Sequence, residues 1–305
     1  MKKFITLMLS ASLVLGTLLT SCGSTAGNDE TTPSESTSAN TNSGDTSADT
    51  DADTSADTSA ADTTAPENTT VADALRASFL EKADEVVVND DSVTFTDASG
   101  KESVTIAKDP KNVVNLYASF TTLWYEAGGT VSGCIGGDSS VALYEEYIGR
   151  DITADDGVTT VATSSSGKKW DTETIIALEP DLIICSTAMS GYKTIEAPAE
   201  AAGIPVIAMS YNDFADYLKW FKVFSNLTGH PELYEEVALK ALDDVVDVLL
   251  ECPTEDNPTV FCMFSSADTL QANTSGTVVG GMISAMNAKN IVDAWDGAAD
   301  AERLD

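Results

Sequence analysis

The sequence has a single histidine, His230, and only 16 Lys and Arg residues against 49 Asp and Glu, a formal net charge of −33 over 305 residues. So few cations exclude a nucleic-acid partner, because phosphate binding rests on clustered Lys and Arg. One histidine excludes a His-rich zinc site and leaves a Ser-His-Asp hydrolase only His230 to use. That residue stands beside Pro231 at the mouth of a long amphipathic segment, where helix capping is the plainer role. A phosphate loop is missing too: Gly167-Lys168-Lys169 has Ala162 where the first glycine belongs, and the wrong residue follows. No G-x-G-x-x-G falls at Gly133-Cys134-Ile135-Gly136-Gly137, and no G-x-S-x-G occurs. Cys134, Cys185, Cys252 and Cys262 lack C-x-x-C spacing. Cys134, Cys185 and Cys262 sit in apolar strand-like runs, so buried thiols are the default and disulfides the alternative. Hydrolase and bare-metal readings both fall, the missing catalytic groups disfavour an enzyme, and no catalytic or metal-binding residue is assigned.

Long apolar runs are absent as well, except at the start. MKKFITLMLSASLVLGTLLTSC places Lys2 and Lys3 ahead of an apolar run ending in small residues, the pattern of a signal peptide over residues 1–21. It is too short and wrongly flanked for a lasting membrane span. Its end, Leu19-Thr20-Ser21-Cys22, resembles a bacterial lipobox, which implies lipid on Cys22 as the first mature residue and no other covalent cofactor. Residues 22–70 are then almost all Ser, Thr, Ala, Asp and Asn, with the near-repeat SADTDADTSADTSAADT. Such composition buries nothing. It reads as a tether with a span of about 40 Å.

The remaining residues suffice for two lobes rather than one unit. Residues 71–108 are expected to form an N-terminal extension with a β-hairpin, VTFTDASGKESVTI, turning at Asp97-Ala98-Ser99-Gly100-Lys101. Over residues 109–231 the pattern becomes α/β. Strands are expected at 113–117, 130–135, 182–185 and 205–209, with helices at 121–127, 171–179, 194–202 and 213–227. That alternation implies parallel pairing with right-handed crossovers. In KKWDTETIIALEPDLIIC, Asp171 is the expected N-cap, Ile175, Ile176 and Leu178 form the apolar side, and Pro180 ends the helix. Residues 232–252 read as one helix of about 28 Å, with Tyr234, Ala238, Ala241, Val245 and Val248 at helical spacing. Residues 253–305 restart the pattern, with a strand at 259–264 and a helix at 279–286.

From residue 93 onward the chain resembles the substrate-binding proteins of bacterial ABC importers for iron-siderophores, haem and cobalamin. The resemblance rests on Thr96-Asp97-Ala98-Ser99-Gly100-Lys101, Asp109-Pro110-Lys111-Asn112-Val113-Val114-Asn115-Leu116 and Thr172 through Ile184. It also rests on Ala202-Gly203-Ile204-Pro205-Val206 and Asn287-Ala288-Lys289-Asn290-Ile291. It implies two Rossmann-like α/β lobes joined by one long α-helix, with ligand in the cleft between them. The second lobe reads as truncated.

The expected ligand is a small-molecule metal chelate or corrinoid. Expected cleft residues are Tyr117, Ser119, Lys168, Trp170, Met189 and Tyr192 on the first lobe, with Asn273 and Ser275 on the second. The resemblance also implies that Glu173 docks on an ABC permease, which works with its ATPase, and that the protein is an extracytoplasmic monomer held to the membrane by lipid alone. The rival reading is a surface adhesion or scaffold lipoprotein on the same fold. A limited lobe movement is expected, because one continuous helix bends less readily than a few flexible strands.

Overall fold

The computed structural model describes residues 65–164, 170–253, 255, 257–265, 270–295 and 303–304. The stretch read as a signal peptide, Cys22, most of the stretch read as a tether and Lys168 lie outside the described residues.

The organising element is a five-stranded parallel sheet. Its strands are β4 (Val113–Asn115), β5 (Gly133–Ile135), β6 (Thr159–Ala162), β7 (Leu182–Ser186) and β8 (Val206–Met209), in the order β6-β5-β4-β7-β8. Every residue of β7 is buried, as a strand covered on both faces requires. Its alternation divides the core. Leu182 and Ile184 point into one hydrophobic cluster with Trp124, Tyr217 and Phe221, while Ile183 and Cys185 point into another with Ile175, Ile195 and Ala199. Helices supply both layers: α2 (Ala118–Glu126), α3 (Asp138–Tyr147) and α6 (Phe214–Leu227) on the first side, α4 (Thr172–Ala177) and α5 (Tyr192–Ala201) on the second.

Two sequence runs that carried the resemblance meet at the amino edge of this sheet. Asp181 Oδ2 accepts the backbone N–H groups of Lys111 at 2.8 Å and Asn112 at 3.0 Å, and Asp181 N–H donates to Asn112 O at 2.8 Å. Asn112 Nδ2 in turn donates to Leu178 O and Glu179 O. These residues fasten β4 to β7 at the end opposite the crevice, a structural duty. Asp171 caps α4 as expected, its side chain accepting from Thr174 N–H at 3.0 Å.

The expected hairpin is present as β2 (Ser92–Phe95) and β3 (Val104–Ala107), with β1 (Val87–Val88) added on its edge. Its tip also covers β8. Ala98 N–H donates to Ala208 O at 2.9 Å, and Asp97 Oδ2 accepts Ala208 N–H at 3.0 Å, leaving that sheet edge occupied.

Several elements differ from the sequence reading. Helix α1 (Ala65–Asp84) starts inside the stretch read as tether and fills the region where only a hairpin was expected. Its Ala72, Leu75, Phe79, Leu80 and Ala83 pack on the first cluster, so tertiary burial carries a helix whose start is rich in Asn and Thr. Helix α3 and strand β6 were not foreseen. The first has a weak apolar pattern, DSSVALYEEY, and the second is only four residues long.

The linking helix opens as a π-helical stretch, Tyr234–Leu239, before the α-helical α7 (Lys240–Leu250). Apolar spacing over so few residues does not separate the two registers. The expected strand at 259–264 is split into β9 (Thr259–Val260) and β10 (Met263–Ser265). β9 pairs in parallel with β12 (Lys289–Asn290), while β10, β11 (Leu270–Asn273) and β13 (Arg303–Leu304) form an antiparallel sheet. Helix α8 (Val278–Ala285) completes this second, smaller α/β unit.

Candidate ligand crevice

The strand order reverses direction between β4 and β7: β5 and β6 extend the sheet one way from β4, and β7 and β8 the other. In an open α/β sheet the loops leaving two such strands diverge to opposite faces, so a crevice opens above their carboxyl ends. Here those ends deliver Tyr117, Ser119 and Met189. Tyr117 is half-buried, its ring 4.7 Å from that of Phe120, and its backbone N–H donates to Asn115 Oδ1 at 3.2 Å. Burial holds the Tyr117 hydroxyl above the ordinary tyrosine range, so it is a neutral donor and acceptor. Asn115 is fully buried at the end of β4, with no partner for its Nδ2. In the turn after β5, Gly137 adopts φ 92°, and a Cβ there would meet Thr163 O at 2.5 Å, so this turn admits only glycine.

The other first-lobe candidates are placed differently. Trp170 and Tyr192 are both buried in the second cluster, against which Met189 packs. Trp170 Nε1 is buried without a hydrogen-bond partner, and the Tyr192 hydroxyl donates to Glu196 Oε1 at 2.8 Å. Both rings thus belong to the packed cluster that Met189 touches. On the second lobe, Asn273 is buried: its N–H donates to Cys262 O at 2.8 Å and its carbonyl accepts from Asn290 Nδ2 at 2.8 Å. Ser275 Oγ donates to Asp293 Oδ2 at 2.5 Å, and its N–H donates to Asp293 Oδ1 at 2.8 Å. Both hold the loop that leads into α8. Glu173 is exposed in the first turn of α4.

The second lobe faces the carboxyl edge of the sheet. A Cβ built on Gly281 of α8 would lie 3.5 Å from Asn212 O and 3.6 Å from Asp213 Cβ, in the turn after β8. Sequence reasoning passed over Ser210, Tyr211 and Asn212, although they follow a recognised strand just as Met189 follows β7. An open depression lined by Glu235, Glu236, Leu239, Lys240 and Asp243 lies on the linking helix itself; one helix face borders it, so it is not the space between the lobes.

Other chemistry in the described residues is sparse. No group of three or more His, Cys, Asp or Glu is placed to hold a metal ion, and no helix is long and apolar enough to cross a membrane. Cys134, Cys185, Cys252 and Cys262 are free thiols, and burial pushes the first up to about 12. At the mouth of the linking helix the His230 carbonyl accepts the Leu233 N–H at 3.0 Å, and its Nδ1 lies 3.2 Å from Glu232 Oε1.

A doubly wound lobe with a second α/β lobe set against its carboxyl edge is the build of a two-lobe ligand-binding protein. The periplasmic binding protein family matches residues 113–303, and the chain belongs to that family. Among solved structures it is similar to the periplasmic catecholate-siderophore binding protein VctP of Vibrio cholerae, with a TM-score of 0.56 at 12% identity over 70% of this chain and 72% of that one. An ABC transporter substrate-binding protein of Listeria monocytogenes EGD-e gives 0.51 at 15% identity over 65% and 69%. SirA of Staphylococcus aureus, solved with staphyloferrin B, gives 0.51 at 17% identity over 69% of each chain. At such identities the likeness establishes the fold. No curated protein matches the sequence.

Proposed function

We propose that the protein is an extracytoplasmic substrate-binding lipoprotein that captures an iron-siderophore, haem or corrinoid-type ligand and passes it to an ABC permease and its ATPase. The observation that supports this reading is the switch point between the adjacent parallel strands β4 and β7, whose carboxyl ends lead into Tyr117, Ser119 and Met189. Its chemistry suits a large, flat, partly apolar ligand: an aromatic ring, a thioether and neutral hydroxyls offer contact area and hydrogen bonds without a reacting group. Family membership and the siderophore ligands named for the similar structures agree with it. Lipid on Cys22 would anchor the chain and the acidic tether would hold it off the bilayer. Exposed Glu173 would meet a basic group of the permease, where complementary charge sets orientation and association rate.

The test is absorption spectroscopy and native mass spectrometry of the protein purified from its own cells. A bound, coloured chelate or macrocycle released on unfolding is the expected result. A colourless chain carrying a peptide or sugar would displace this ligand class.

A further inference from the structure

Helix α1 lies outside the stretch matched by the family, residues 113–303, yet it reaches the turn where the two lobes meet. Lys82 Nζ donates to Asp213 Oδ2 at 2.8 Å and to Asp216 Oδ1 at 2.7 Å. Each carboxylate also shapes the turn. Asp213 caps α6 by accepting Asp216 N–H at 2.8 Å, and Asp216 Oδ2 accepts Asn212 N–H at 2.8 Å. Trp220 Nε1 closes the knot by donating to Ser210 O at 2.8 Å. Around the ion pairs, the Phe79 ring packs edge-on against Phe214 with centroids 5.5 Å apart, Lys222 Nζ donates to Ala83 O at 2.9 Å, and Arg76 pairs with Asp243 of α7. One helix thus grips the first lobe, the linking helix and the Asn212 turn together.

We propose that Lys82 is a positioning residue for the crevice, fixing residues 212–216 so that Asn212 and Asp213 present a firm seat to α8 of the second lobe. Without the ammonium, two carboxylates that converge on it would face each other unneutralised, and like charges at that range repel. The turn would relax where Gly281 approaches it. A cation supplied by the segment next to the tether would then help set how the lobes meet. The proposal rests on the crevice reading but is tested without any ligand.

The experiment is amide hydrogen exchange on the full chain, comparing wild type with Lys82→Met, Lys82→Arg and Asp213→Asn. Asn keeps the cap and removes one charge. Lys82→Met is expected to speed exchange at Asn212, Asp216 and Gly281 by about tenfold while the strand amides of Val114 and Ile184 stay unchanged, a local opening. Lys82→Arg should hold all three within about threefold of wild type, and Asp213→Asn should fall between. Unchanged exchange at Asn212 and Gly281 in Lys82→Met would overturn the proposal. So would acceleration spread equally over Val114 and Ile184, which marks a general stabilising contact, or an Arg variant that behaves like Met, which removes charge as the cause.

Discussion

Gly281 of α8 looks directly onto Asp213 at the head of α6: a Cβ on the glycine would lie 3.6 Å from the aspartate Cβ. That separation falls within the range spanned by disulfide-bonded cysteines. Asp213→Cys combined with Gly281→Cys should therefore crosslink under mild oxidation, with the bridge identified by peptide mass mapping. A chain that stays fully reduced under those conditions would show that the lobes do not meet at this point in solution.

Trp170 separates packing from ligand contact. Its indole is buried with an unpartnered N–H, a group that costs about 1–3 kcal/mol when left without an acceptor. Trp170→Phe removes the donor together with part of the ring, so relief of the unpaired N–H offsets part of the lost packing, and stability in urea should fall by less than about 2 kcal/mol. Trp170→Ala should lose about 3–5 kcal/mol. A loss in the Phe variant as large as that in the Ala variant would mean that the N–H has a partner in solution.

Glu126 at the end of α2 gives the protein a pH dependence of known sign. Burial raises its carboxyl to about 7 from 4.5, and the negative end of the helix acts in the same direction. The folded state holds this proton more tightly than the unfolded chain, so the group lowers stability as pH rises from 4.5 to 7 and by a constant amount above that. The upper bound is on the order of 3 kcal/mol. Glu126→Gln should be the more stable protein at pH 8 by about 1–3 kcal/mol and indistinguishable from wild type near pH 4. Equal denaturation midpoints at pH 8 would refute the burial argument.

Exposed Glu173 either serves a docking contact or only complements the start of α4, an effect of about 0.3–1 kcal/mol. Glu173→Arg in cells should abolish uptake while leaving ligand affinity intact. Transport at the wild-type rate would leave it a helix-end charge.

The first lobe was legible in the sequence because its signals are dense. Asp171 and Pro180 bracket a helix, Leu182 through Cys185 is an unbroken apolar run, and Pro205 through Met209 repeats the pattern. Elements stabilised mainly from outside were not. Helix α1 depends on α6 and α7 for a surface to pack against, and the π-helical opening of the linking helix shares its apolar spacing with an α-helix. Within the crevice, strand ends pointed to Tyr117, Ser119 and Met189, but side-chain depth was invisible. Trp170 and Tyr192 follow or face strand ends in sequence, yet their rings turn into the second cluster. Lys82 lies more than a hundred residues from Asp213 in the chain, at a sequence separation of 131, so nothing local announced the pair.

Fluorescence titration of the purified full chain with a ferric catecholate, a ferric hydroxamate, haem and cobalamin tests the central claim most directly. At least one is expected to bind with Kd below about 1 μM, near −8 kcal/mol, and Tyr117→Ala with Met189→Ala should weaken it by about tenfold or more, since two apolar contacts are lost. Failure of all four to bind, or binding indifferent to both substitutions, would contradict a ligand crevice above β4 and β7.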